Sequence, residues 1–120
     1  VRSGRFKYIL NLSPEERFQN FCTKDPVFKS WEAKAKTDAD AADKVRRYRY
    51  RPAIELFDIT NDPYEWNNLA GKPKYATVQK ELKQRLANWM AAQGDKGQQT
   101  ELEAKEHQTR NRKKKKKKGT

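Results

Sequence analysis

Pro52-Ala53-Ile54-Glu55-Leu56-Phe57-Asp58-Ile59-Thr60-Asn61-Asp62-Pro63-Tyr64-Glu65-Trp66-Asn67-Asn68-Leu69 is the stretch that decides the fold. Ile54, Leu56 and Phe57 mark a short strand, with Leu56 opposed to Glu55 and Phe57. Asn61-Asp62-Pro63 closes it in a turn, where Asn or Asp accepts backbone N–H bonds and proline sets the dihedral. Trp66 and Leu69 are the expected inward residues of the segment after the turn. Gly71 and Pro73 then break the chain before a helix. Tyr75, Val78, Leu82, Leu86 and Trp89 recur at steps of three and four, with Met90 alongside, as one apolar stripe. Gly94 is the expected stop. Lys72 stands at the N-cap before Pro73, where it accepts nothing and its charge opposes the helix dipole.

Working back from that stretch, Arg5-Phe6-Lys7-Tyr8-Ile9-Leu10 alternates, with Phe6, Tyr8 and Leu10 on one face, and predicts a half-buried strand. Ser3-Gly4 is turn chemistry, so Val1-Arg2 reads as the stump of a hairpin strand. Together with the opening valine, this implies a piece of a longer protein. Asn11 to Thr23 reads as a loop anchored by Phe18 and Phe21. Asp25-Pro26 is an N-cap followed by proline at the first helical position, and Val27, Phe28, Trp31 and Ala35 continue at helical spacing. Asp38 to Tyr48 predicts a second helix with Ala41, Ala42, Val45 and Tyr48 on one side, ended by Pro52. The alternation of Tyr48 and Tyr50 among Arg46, Arg47, Arg49 and Arg51 is read as an edge strand in preference to a nucleic-acid patch, in which rings would stack on bases.

Composition bounds the function. The 120 residues hold one small domain at most, with 34% hydrophobic and 37% charged residues, while 11% aromatics argue against disorder throughout. The net charge of +12 invites a polyanion partner. Half of it, however, comes from residues 101–120, where nine Lys/Arg face three Glu. The run Lys113, Lys114, Lys115, Lys116, Lys117 and Lys118 would bind any polyanion weakly, and stands equally as a solvated tail without a dedicated partner. No apolar run approaches a bilayer span, and the start lacks a signal-peptide pattern.

Catalytic signals are scarce. Cys22 has no partnering Cys or nearby His, and reads as a small buried or loop cysteine. His107, the single histidine, lies in the polar tail and makes neither a triad nor a zinc site. Asp58, Asp62 and Glu65 cluster, but their spacing matches no EF-hand, so turn capping is the expected role rather than calcium binding.

The run Glu55-Leu56-Phe57-Asp58, Asn61-Asp62-Pro63-Tyr64-Glu65, Asn68-Leu69-Ala70, Tyr75, Leu82, Leu86 and Trp89-Met90 resembles the C-terminal end of a type I sulfatase. Arg2-Ser3-Gly4-Arg5-Phe6-Lys7-Tyr8-Ile9 is similar to that family's R-x-G-x-x-K-Y-I hairpin. Asn11-Leu12, Pro26-Val27-Phe28 and Tyr48-Arg49-Tyr50-Arg51 resemble its heparan N-sulfatase branch, also called N-sulfoglucosamine sulfohydrolase. The resemblance covers residues 1 to about 95 and not the lysine tail.

It implies an α+β C-terminal subdomain, a small antiparallel sheet packed against a long C-terminal helix, cut from an alkaline-phosphatase-like α/β hydrolase. Residues 1–95 would be the subdomain and 96–120 a polar, Lys-rich disordered tail. The parent family uses calcium and a formylglycine made within a C/S-x-P-x-R motif. Cys22-Thr23-Lys24-Asp25-Pro26 is not that motif, so no catalytic, cofactor-binding or metal residue is carried over to this chain. The implied partners are the parent catalytic domain and a sulfated polysaccharide. Family habit implies a periplasmic, lysosomal or extracellular setting. The alternative of a different class is an autonomous basic module for nucleic acid or polyanions.

Overall fold

The structure, a computed structural model, describes residues 1–104. The lysine run and His107 lie outside the described residues. The chain forms two compact units: Val1–Leu12 with the chain from Glu55 onward, and Ser13–Ile54.

In the first unit, strand β1 (Phe6–Leu10) pairs antiparallel with strand β2 (Ile54–Asp58). Val1-Arg2 does extend β1 as a hairpin. Arg2 bridges Lys7, and Val1 and Tyr8 exchange N–H to C=O bonds of 2.8 Å in both directions. Ser3 closes the turn, its Oγ accepting the Phe6 N–H at 3.1 Å. Tyr8 and Leu56, one on each strand, are fully buried. Glu55 and Asp58 of β2 are buried as well, so this strand is covered along its length. Leu10, expected inward, is 39% exposed because the strand ends there and nothing covers its last position.

Pro73–Tyr75 form a 3-10 turn and helix α3 follows (Ala76–Ala92). Its stripe packs toward β1, with Leu82 buried and the Tyr75 ring edge-on to Phe6 at 6.1 Å. The expected stripe needs one correction. Trp89 is 58% exposed, and Met90 takes the inward place, near Gly97. A helix of 17 residues rises about 25 Å while a five-residue strand spans about 17 Å, so the last turn outruns the sheet. The helix ends as expected at Gly94 (φ +67°), in a Schellman arrangement. Asp95 N–H bonds Met90 C=O at 2.9 Å and Gly94 N–H bonds Ala91 C=O at 3.1 Å.

The second unit contains a 3-10 turn (Phe21–Lys24), helix α1 (Pro26–Lys34) and helix α2 (Ala39–Arg49). The α1 N-cap falls where the sequence places it, Asp25 accepting the Val27 N–H at 2.8 Å, and the structure adds a second cap at Asp38, which accepts the Ala41 N–H at 3.0 Å. The Ala41 bond is the main reason that the Asp38 carboxyl sits below its usual range. The core of this unit is aromatic. Phe28 is buried, with Tyr48 at 5.1 Å and Trp31 at 5.7 Å between ring centroids, and Phe18 meets Tyr48 at 5.6 Å.

Phe18 keeps an edge contact with Tyr48 and anchors the loop before α1, whereas Phe21 does not. They are 41% and 87% exposed. A capping box organises the turn instead. Asn20 Oδ1 accepts the Thr23 N–H at 3.0 Å, Thr23 Oγ accepts the Asn20 N–H at 3.2 Å, and Thr23 is the residue buried. Cys22 lies exposed on that turn. Val27 and Trp31 are also more than half exposed. Nor is there an edge strand at Tyr48–Arg51, since α2 runs through Arg49. Asp43 holds Arg46 at 2.6 Å and Arg47 at 2.7 Å along one helix face, and Glu32 takes Arg49. These pairings make an arginine-rich stretch compatible with helix.

Candidate functional site

The signature from Asp58 to Asn68 is built as a clamp, with Asp58, Asn61, Asp62, Glu65 and Asn68 each committed to a strand or a turn. Asp58, at the end of β2, accepts from Arg5 Nε at 3.0 Å and Nη2 at 2.6 Å, and from Asn61 Nδ2 at 2.9 Å. The Arg5 bonds, with help from Asn61, hold its carboxyl well below the usual carboxylate range, and Arg5 is raised in turn. Asp62 caps the turn, its two oxygens accepting the Trp66 N–H at 3.1 Å and the Asn67 N–H at 2.7 Å. That turn leaves Trp66 49% exposed, against expectation, and brings Leu69 inward.

Glu65 adopts a left-handed conformation (φ 58°) and receives Lys7 Nζ on both oxygens, at 2.8 and 2.9 Å. Asn68 Oδ1 accepts the backbone N–H of Leu56 at 2.9 Å and of Ala70 at 3.0 Å, while Leu69 N–H bonds the Leu56 C=O at 2.8 Å. Both main-chain groups of Leu56 are thereby satisfied on the side away from β1, as a third strand would satisfy them.

Of the three carboxylates read as turn capping, Asp62 does only that. Asp58 also takes the Asn61 N–H at 3.3 Å, but its main partner, like that of Glu65, is a cation beside or on β1. Sequence reading missed these two ion pairs. The available signal was Arg5 and Lys7 on the face opposite Phe6 and Tyr8, whose charges need partners once the strand is packed. The carboxylates do not fit a calcium cage, because their oxygens are occupied by donors and point to separate partners. Among the described residues no three His, Cys, Asp or Glu gather as a metal site. No helix there is long and apolar enough to cross a membrane.

A groove of about 590 Å³ lies beside the clamp, lined by Arg2, Lys7, Tyr8, Ile59, Glu65 and Leu86 among others. Its lining supplies one carboxylate and no His, Cys or Ser. In the second unit Arg46, Arg47 and Arg49 are paired with carboxylates. Arg46 and Arg47 share Asp43, whose carboxyl is lowered chiefly by the Arg46 bond, and Arg49 is 6% exposed. Arg49 bonds Glu32 Oε1 at 2.6 Å with its guanidinium 4.6 Å from the centre of the Phe28 ring.

Comparison with known proteins finds sulfatases. Two ulvan-active sulfatases of Formosa agariphila are similar to this chain, one 35% identical over 95 residues and the other 34% over 101. Each alignment covers 79% of this chain and 17% of the relative. Human N-sulphoglucosamine sulphohydrolase is 42% identical over 45 residues, 38% of this chain and 9% of that protein. The chain belongs to the sulfatases. It matches the C-terminal segment that the signature residues indicate. No family model matches. This sulfatase chain thus spans about a sixth of the length of the two ulvan-active relatives.

Proposed function

We propose that this chain is the C-terminal subdomain of an alkaline-phosphatase-like sulfatase that hydrolyses sulfate esters or sulfamates of sulfated glycans. Its part is structural and not catalytic. The observation that carries the reading is the clamp itself: the residues by which the chain resembles sulfatases, Asp58, Asp62, Glu65 and Asn68, are spent on Arg5, Lys7 and backbone N–H groups. None is left free to hold a metal or transfer a proton. Two ulvan-active relatives favour a sulfated polysaccharide as substrate. The calcium and formylglycine of the parent chemistry would belong to the catalytic domain, the partner of this one.

The test uses the whole protein. The coding sequence contiguous with this segment should specify a C/S-x-P-x-R motif, and the purified enzyme should release sulfate from a sulfated glycan. Glu65→Ala should lower the yield or melting temperature of that enzyme while leaving kcat per folded molecule within about twofold. Absence of the motif, or loss of kcat at full folding, overturns the proposal.

A further inference from the structure

β1 ends at Leu10 and β2 begins at Ile54, and the two are antiparallel neighbours, so the chain returns beside the point it left. Asn11 Nδ2 donates to Glu55 Oε1 at 2.8 Å at those ends. An antiparallel pair of this kind can close with a loop of two residues. Here the connection runs instead from Asn11 to Ala53 and carries two helices with their own core.

That core is closed by its own residues. Phe28 packs with Tyr48 and Trp31, and the buried Arg49 is satisfied by Glu32 and by the Phe18 carbonyl at 3.3 Å. The Phe18 N–H returns to the Arg49 C=O at 2.7 Å, fastening the start of the unit to its end. The sheet unit likewise closes on Tyr8, Leu56, Leu69 and Leu82, with its ion pairs joining Arg5 to Asp58 and Lys7 to Glu65.

We infer that Ser13–Ile54 is an insert in the β1–β2 hairpin that folds and opens as a unit of its own, on a frame that folds without it. The dependence runs one way. At about 40 residues a segment with a single aromatic core needs its ends tied. The paired strands tie them, removing most of the entropy of closing that loop. The sheet unit needs only a turn in the insert's place. The exposed Phe21, Val27 and Trp31 on the insert can therefore change or rearrange without disturbing the clamp.

Residue-resolved hydrogen exchange on the full chain tests the hierarchy. Phe28→Ala should speed exchange of the α1 and α2 amides by on the order of a hundredfold or more while the amides of Tyr8, Leu56 and Leu82 keep their protection. Leu56→Ala should speed exchange in both units together. A second variant, with Leu10–Ile54 replaced by Asn-Gly so that the turn closes on the hydrogen-bonded pair Ile9 and Glu55, should retain protection at Tyr8 and Leu82. Equal loss in both units for Phe28→Ala, α1 and α2 unaffected by Leu56→Ala, or a hairpin variant without protection would each overturn the inference.

Discussion

Lys7 Nζ sits 2.8 and 2.9 Å from the two carboxylate oxygens of Glu65, the one non-glycine residue with positive φ among the described residues. A left-handed backbone costs an L-residue about 1–2 kcal/mol, and the ion pair with the adjoining Asp62 cap offsets it. Glu65→Ala should destabilise the chain by about 1 kcal/mol, since it removes a partly exposed pair and keeps the strain. Glu65→Gly should be milder, because glycine relieves the backbone as the pair is lost. Denaturant titration of both variants, and of Lys7→Ala, checks the order; an alanine variant more stable than the glycine one would contradict it.

Asp58 makes stability depend on acid. Its folded-state carboxyl lies below the ordinary value of about 3.9, so its contribution is complete above about pH 4 and is lost as pH falls further through the folded value. Melting temperatures read from pH 7 down to 2 should hold their Asp58 contribution to about pH 4 and then decline. Asp58→Asn should be less stable at neutral pH and show a shallower acid slope. An unchanged slope would place the acid sensitivity elsewhere, for example at Asp38 or Asp43, whose carboxyls are also lowered.

Tyr8 is 1% exposed and its hydroxyl has no hydrogen-bond partner among the described residues, burial raising its pKa. Leaving such a donor unpaired costs about 1–3 kcal/mol. Tyr8→Phe should therefore keep the ring packing and raise stability, by up to about 1 kcal/mol in chemical denaturation. A clear loss would reveal a partner for the hydroxyl.

Lys72 caps the 3-10 turn before α3 without any side-chain bond, and Gln79 reaches back from the helix to take the Gly71 N–H at 2.9 Å. Lys72→Asp should add about 1 kcal/mol by accepting a free N–H and reversing an unfavourable charge. A thermal melt without any gain would refute that reading of the cap.

Leu82 and Trp89 test where the α3 stripe ends. Leu82→Ala should cost about 2–5 kcal/mol, as for a buried leucine. Trp89→Ala should cost well under half as much in the same assay, because the ring is mostly in solvent. Equal losses would restore Trp89 to the core.

Strand alternation, proline and glycine breaks, the Asp25-Pro26 cap and helical spacing are local properties of the chain. They determined by themselves both strands and the helices α1, α2 and α3 within a residue or two, whereas the family came from the resemblance of the Glu55–Ala70 run and the opening hairpin to sulfatases. The start of α1 was legible because Asp25 acts on an N–H two residues away, while the matching role of Asp38 at the start of α2 was not read from the sequence. Tyr48–Arg51 misled, because alternation over four residues is too short to distinguish a strand from the last turn of a helix. Only Tyr48 and Arg49 are helical there, with Arg49 paired to Glu32 on α1, and Tyr50 is already extended.

Which aromatic faces inward was likewise beyond the sequence. Trp31, Trp66 and Trp89 each sit at a plausible apolar position, yet inwardness depends on what element lies opposite and how far it extends. The partners of Asp58 and Glu65 are the sharpest case. Both carboxylates are conspicuous in sequence, but Arg5 and Lys7 lie more than fifty residues away. Only the antiparallel pairing of β1 with β2 brings those charges within bonding distance, so the clamp exists in the folded chain and nowhere in its local pattern.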